Sequence, residues 1–405
     1  MENKIQDCLA KMLKEQNINK YETVVEFSLH KGTNYLSDVG TVVIKDTKAD
    51  GEEIKYDLIV KLAKTGEFRN QFSMKDLFDR EIFMYKRIFP LFKKIQEENN
   101  VKKPFNVMAK FYGASKVEDQ DIVVLENMSR KEFKLCDRHQ TLNHRKASIL
   151  FKELGRLHAL SFALRDQELT LFHSLSKQLR DVEFHGEIRK VAQHFIKHLF
   201  PKSLDLIDSE KDNAAYSKLK HFPQILFDTL IQCVENEINS PYSVIVHGDL
   251  WMSNFMFKYD QMGQPTELCM LDWQFTKLSS PVIDISQAMF ICLNKETRDL
   301  YLHDLINDYY NSFSNFLIEL GGKPDVLFPF AVLQEHLRKF SICGLYTAVR
   351  MISLTSISSE DTPTSSIDNF AEALCNAKKN PYLFNDRMRD VLLDYVRYGY
   401  DTYPE

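Results

Sequence analysis

The chain has no run of 18 uncharged apolar residues, so none of its 405 residues is expected to span a bilayer. Its first ten residues, Met1 to Ala10, lack the apolar core of a signal peptide, and no secretion is expected from them. The seven cysteines are scattered without a CxxC pair, a pattern that reads as reduced thiols in a cytosolic protein. Without secretion, the sequon Asn127-Met128-Ser129 should be inert. Excess positive charge is also missing. The 52 basic side chains are outnumbered by 57 acidic ones, giving a net charge of −5, which argues against a nucleic-acid or anionic-membrane surface. No internal repeat is evident. The one low-complexity patch, Ser353 to Ser366, is rich in Ser and Thr and reads as a loop.

What is present is an ordinary globular composition, 44% hydrophobic and 27% charged, in a chain long enough for two domains or lobes. The first third reads as strands plus one helix. Val24–Leu29, Thr41–Ile44 and Tyr56–Lys61 are short β-branched or alternating runs, and Asp50-Gly51 marks a hairpin between the last two. From Phe72 to Phe89 the period turns helical, with Phe78, Ile82, Tyr85 and Phe89 on one stripe, and Pro90 is expected to stop it. Ile122–Leu125 is a further buried strand. Beyond residue 130 the pattern is helical: Ile149–Phe162, Lys220–Ile238, Ile285–Leu293, Thr297–Ile318, Pro329–Leu354 and Asp368–Lys378.

The chemistry concentrates in Val244 to Asn254. An apolar run ends in His247-Gly248-Asp249, and Asn254 follows Asp249 after four residues. A kinase catalytic loop has this layout: an Asp that accepts the proton of the attacking hydroxyl, then an Asn that holds a metal. A second carboxylate, Asp272, follows the apolar stretch Leu268–Leu271, where kinases place the aspartate that chelates Mg²⁺. Lys61 ends the third strand and is a candidate for the α- and β-phosphates. Glu81, flanking the buried helical stripe, is its candidate partner. Between the first two strands, Lys31 to Gly40 is not GxGxxG, but a small-residue turn can aim backbone N–H groups and the Asn34 and Ser37 side chains at phosphates; a plain hairpin loop reads equally well.

Several other features have plainer readings. His194 and His198 stand four apart, but no glutamate follows His194 as a zinc-hydrolase motif requires. His158 fits a hydrogen-bonded core histidine, Asp284 a helix cap, and Trp251 and Trp273 the packing between two loops.

Taken together, Gly32–Tyr35, Leu58–Lys61, Glu81–Tyr85, Val124–Met128, Leu157–Ala159, His247–Asn254, Asp272–Gln274 and Pro281–Asp284 resemble the ecdysteroid kinase-like (CHK kinase-like) family. This belongs to the aminoglycoside and choline phosphotransferase branch of the protein-kinase-like fold. Asn127 stands where Asp is common and Trp273 where Phe is common, and neither change removes a catalytic group. The resemblance implies an α+β, two-lobed fold, with residues 1–128 as a β-rich N-lobe ending at a hinge and 129–405 as a mainly helical C-lobe. It implies transfer of phosphate from ATP, with Mg²⁺, to a small lipophilic alcohol, ecdysteroids being the prototype acceptor.

Carried over residue by residue, Asp249 is the catalytic base and Asn254 and Asp272 hold Mg²⁺. Lys61 holds phosphates, Glu81 positions Lys61, and Glu126 to Met128 form the hinge that meets adenine; Gly32, Asn34 and Ser37 are nucleotide-binding candidates from the turn between the first two strands. The acceptor should lie against the helical lobe, for example along Leu345–Leu354. A protein kinase fits less well, because no Ala-Pro-Glu string follows Asp272. A choline- or aminoglycoside-type kinase, or a nucleotide- or steroid-binding pseudokinase, remains the alternative. Oligomeric state is not written in the chain.

Overall fold

The computed structural model describes residues 9–14, 21–26, 36–47, 53–66, 69–70, 72–117, 120–186, 188–235, 237–357 and 367–400. The β-branched runs near the start become an antiparallel five-stranded sheet of β1 (Tyr21–Glu26), β2 (Ser37–Thr47), β3 (Glu53–Ala63), β4 (Phe111–Val117) and β5 (Gln120–Glu126). Their order is β1-β2-β3-β5-β4. The pairing of Thr47 with Glu53 confirms a hairpin where Asp50-Gly51 implied one, although the turn itself lies outside the described residues.

Alternation along the strands gives the sheet two apolar faces. Val42, Ile44, Leu58, Val60 and Leu62 pack under Leu9, Met12 and Leu13. Ala63, Val123 and Leu125 face the main core. Lys61, opposite Val123 in the β3–β5 register, shares that inner side. Over it lies α1 (Met74–Phe83), which buries Met74, Leu77, Phe78, Arg80 and Glu81.

Pro90 does not stop this helix. The chain passes from α1 through a π turn at Met84–Ile88 directly into α2 (Phe89–Glu98). Proline falls immediately after the π turn, at the start of α2, where its fixed φ matches the helix.

The rest is mainly helical. A two-residue strand β6 (Lys134–Leu135) precedes α3 (His144–Gln167) and α4 (Leu169–Ser176), then α5 (Arg189–Leu204), α6 (Asn213–Leu219) and α7 (Phe222–Glu235). Three short strand pieces follow, β7 (Val244–Val246), β8 (Phe255–Tyr259) and β9 (Pro265–Met270), with β10 (Lys277–Ser279) returning to pair with β7. Then come α8 (Val282–Gln287) with a π turn at Ala288–Cys292, α9 (Lys295–Glu319), α10 (Pro324–Leu327), α11 (Phe330–Thr355), α12 (Ile367–Asn376) and α13 (Pro381–Arg397). This small antiparallel sheet followed by a large helical part is the α+β protein-kinase-like fold.

Two glycines set the helix spacing. A Cβ at Gly155 in α3 would come within 2.5 Å of the Tyr309 carbonyl in α9, and one at Gly344 in α11 within 2.4 Å of Ser286 Oγ in α8. Close helix approach at these points needs a residue without a side chain.

The Ser/Thr patch expected to be a loop begins as helix. α11 continues through Thr355, with the hydroxyls of Ser353, Thr355 and Ser356 donating to carbonyls four residues back. Residues 358–366 lie outside the described residues.

Candidate active site

The loop carrying Asp249 is positioned from below. β7 is fully buried, and its exit brings His247 and Gly248 over α8. Asp284 does not cap α8, as its place after Pro281-Val282-Ile283 suggested. It sits inside the first turn and turns its carboxylate to the loop, accepting from His247 N at 2.8 Å and Gly248 N at 2.9 Å. His158 Nε2 lies 3.2 Å from the same carboxylate and its Nδ1 3.0 Å from Tyr309 Oη, so this histidine is the fully buried, hydrogen-bonded core residue expected.

Burial disfavours a charge on Asp284, yet the bonds from His158 and the loop outweigh it and hold the carboxyl below its usual range. Gln287 completes the clasp, accepting from Leu250 N at 2.9 Å and donating to the Gly248 carbonyl at 3.0 Å. Gly248 has φ +81°, and a Cβ there would sit 2.4 Å from the Phe275 carbonyl.

His247 is buried and its pKa is lowered by that burial. Its Nδ1 faces the Asp249 N–H and its Nε2 the Leu271 carbonyl at 3.0 Å, a pattern that places the proton of the neutral ring on Nε2.

The β8–β9 hairpin explains why Asn254 and Asp272 converge from 18 residues apart. Phe255 pairs with Met270, so the residues just outside the hairpin face each other, and Leu271 N donates to the Asn254 carbonyl at 2.9 Å. Asp272, next in the chain, adopts a left-handed backbone (φ 65°) that a non-glycine residue rarely holds. Such strain accumulates where a side chain must be aimed.

Asn254 spends both amide hydrogens on Asp249, reaching its carbonyl at 2.8 Å and Oδ2 at 2.9 Å. Its Oδ1 is therefore the atom left to face a cation. Burial, reinforced by Asp272, pushes the Asp249 carboxyl up to about 7, against the opposing pull of Arg350.

Lys61 donates to Glu81 Oε2 at 2.7 Å and to Asp272 Oδ1 at 2.5 Å. Burial opposes its charge, but Asp272 and then Glu81 outweigh burial and hold the ammonium well above its ordinary value. Glu81 is fully buried, and its Oε1 has no partner among the described residues. Spacing alone passes over its neighbour Arg80, which is also buried and donates to the Thr276 carbonyl, tying α1 to the segment after Asp272. Trp273 does pack the loops together: its ring lies 4.5 Å from that of His247 and 4.9 Å from that of Phe89.

Asp249, Asn254 and Asp272 open into one hollow of about 870 Å³, counting its mouth. Ser37 borders it as the first residue of β2, not as part of a loop. The far wall is apolar, from Ile188, Val191 and Phe195 to Met351 and Leu354, with Trp251 and Phe275 beside the loop. Arg350 and Glu183 are its only other charged residues among those described. Of the segment Leu345–Leu354, only Arg350, Met351 and Leu354 reach the hollow; Leu345 is core.

Glu126 and Met128 stand elsewhere, beside a groove with Phe111 and Glu267. Met128 also packs against Phe133, Met256, Cys269 and Leu271, an apolar shelf on the β8–β9 hairpin. Glu126 pairs with Lys131 at 2.9 Å. Gly32 and Asn34 fall outside the described residues. Spacing rules could have flagged Arg350, a lone charge in an apolar helical stretch; Glu183, in irregular chain, carries no such signal.

A magnesium ion bound with nucleotide phosphates needs hard oxygen donors, usually one or two from the protein and the rest from phosphate and water. Asp272 and Asn254 Oδ1 fit that donor set. Among the described residues no cluster of three His, Cys, Asp or Glu could hold a metal by itself. No helix among them is long and apolar enough to cross a membrane.

No curated protein matches the chain. The model of the ecdysteroid kinase-like family matches residues 31–322, well over half of it. On that match, the chain belongs to the ecdysteroid kinase-like family.

Proposed function

We propose that the protein transfers the γ-phosphate of ATP to the hydroxyl of a neutral, lipophilic alcohol of the ecdysteroid type. The observation that carries this reading is the meeting of two surfaces in one hollow. Asp249, Asn254 and Asp272 form its polar edge, and a mostly hydrocarbon wall faces them. An acceptor lying on that wall presents its hydroxyl to Asp249. The hydroxyl oxygen forms the new bond to phosphorus, the bond to the β–γ bridging oxygen breaks, ADP leaves, and the hydroxyl proton passes to Asp249.

Lys61 orients the phosphates and Glu81 orients Lys61. Ser37 borders the same phosphates from the sheet side, and Gly32 and Asn34 are proposed as further phosphate contacts. Asp272 and Asn254 hold Mg²⁺, which when bound offsets charge on the transferred group. Since Lys61 now spans Glu81 and Asp272, nucleotide entry requires it to exchange its bond to Asp272 for phosphate oxygens. The lobes, 1–128 and 129–405, meet at Glu126–Met128, where backbone groups would meet adenine.

Cationic acceptors such as choline or aminoglycosides are disfavoured because the far wall offers no net negative charge, Glu183 being paired with Arg350. Against a non-catalytic pseudokinase speaks the presence in the chain of all five polar residues, Lys61, Glu81, Asp249, Asn254 and Asp272. The six buried free thiols among the described residues are in keeping with a reducing, cytosolic setting.

Asp249→Asn separates chemistry from binding. It keeps the shape of the loop but cannot take the proton, so turnover should fall about 10²–10⁴-fold while ATP affinity barely moves. Equal loss of ATP binding and turnover would make Asp249 structural.

A further inference from the structure

The far wall of the hollow holds a polar group that phosphate transfer at Asp249 does not use. Arg350, on the penultimate turn of α11, donates to Glu183 Oε1, and Tyr346 Oη donates to the same oxygen at 3.1 Å. Both charged side chains are mostly buried, at 15% and 10% exposed, and both border the hollow. The pair is held firmly. Asp181 accepts from Phe184 N at 2.7 Å and from Lys277 Nζ at 2.6 Å, fixing the Glu183 segment to β10 beside the catalytic loop. The Arg350 guanidinium lies over the Phe195 and Tyr346 rings.

A buried ion pair set in a hydrocarbon wall is poor value as a stabilising device, since apolar residues of similar size would serve the fold as well. This one is also incomplete. Arg350 Nε is buried without a partner among the described residues. Buried polar groups are normally satisfied, so a mostly buried ion pair with spare capacity at the border of the hollow is suited to a polar atom of a ligand. The pair is neutral overall, which suits neither a cation nor a carboxylate. It suits an oxygen that can accept from guanidinium and, as a hydroxyl, donate to the carboxylate.

We propose that Arg350 and Glu183 determine acceptor specificity by binding a second, non-transferred oxygen of the acceptor, a hydroxyl or ketone on its apolar skeleton. The acceptor class is then a lipophilic alcohol with at least two oxygens, one at Asp249 and one at Arg350–Glu183. This rests on the reading of the hollow as the acceptor site.

The test is equilibrium binding and kcat/KM for 20-hydroxyecdysone and for analogues each lacking one hydroxyl or the ketone, with full-length protein. Wild type should bind one of these analogues at least about tenfold more weakly than the parent, because the pair is then left unmet. In Arg350→Met that penalty should vanish, parent and analogue binding alike, with ATP affinity unchanged. Should the lone Glu183 prevent folding, the double variant Glu183→Gln/Arg350→Met keeps the wall neutral and makes the same prediction.

A penalty that persists in both variants, or no penalty from any analogue while the parent is bound and phosphorylated, overturns the anchor and leaves the kinase reading intact. Binding without phosphorylation, with the penalty erased in the variants, supports the anchor and contradicts only the transfer. Failure of wild type to bind any of these steroids overturns the anchor together with the steroid acceptor class.

Discussion

Between His247 and Leu250, three backbone N–H groups and one carbonyl are bound by just two side chains, Asp284 and Gln287, both from α8. The wall opposite is gathered from the Glu183 segment, α5, α11 and α12, and Arg350 Nε within it is buried without a partner among the described residues. The loop backbone is bound by its own fold, while the opposite wall carries a mostly buried ion pair. On the proposed reading, the difference separates a rigid frame for Asp249, Asn254 and Asp272 from the wall that would select the acceptor. A local, fully bonded loop tolerates little change. A wall assembled from distant segments can be altered one residue at a time while the frame persists.

The largest effect should come from the frame's metal side. Asp272→Ala should lower turnover by at least ~10³-fold at saturating Mg²⁺-ATP, with the protein still folded, since positioning and charge compensation are most of what a protein contributes to this chemistry. Unchanged activity in a folded variant would remove Asp272 from the site.

Asp284→Ala tests whether α8 holds the loop. It leaves the His247 and Gly248 N–H groups and His158 without their buried acceptor, and should destabilise the protein by about 3–5 kcal/mol in denaturant unfolding. A change under about 0.5 kcal/mol would show the loop to be held otherwise.

A smaller effect sits away from both surfaces. His336 is buried, with Ser280 Oγ 2.8 Å from its Nδ1, and burial followed by Lys339 pushes its pKa down to about 4. Its unfolded value is about 6.5, so between those pH values the unfolded chain binds the extra proton and stability falls as pH falls. The loss should approach about 3 kcal/mol below pH 4. His336→Gln should flatten the slope of unfolding free energy between pH 7 and 4.5; an identical slope in the variant would assign it to other groups.

The two surfaces were unequally legible in the sequence. Asp249, Asn254 and Asp272 could be read from spacing because one hairpin fixes their geometry, and Lys61 and Glu81 because strand alternation and helical period set their faces. Asp284 looked like a cap because its partners, the N–H groups of His247 and Gly248, lie 36 and 37 residues away and belong to the backbone. Pro90 read as a stop because the π turn that accommodates it leaves no mark in the apolar period. Glu183 and Arg350 lie 167 residues apart, and only tertiary packing makes them a pair.

The central claim, a frame for phosphate transfer facing a wall for neutral lipophilic alcohols, is tested most directly by γ-phosphate transfer from ATP to an ecdysteroid, choline and an aminoglycoside side by side. The account predicts the highest kcat/KM for the ecdysteroid. Higher kcat/KM for either cationic acceptor would contradict it.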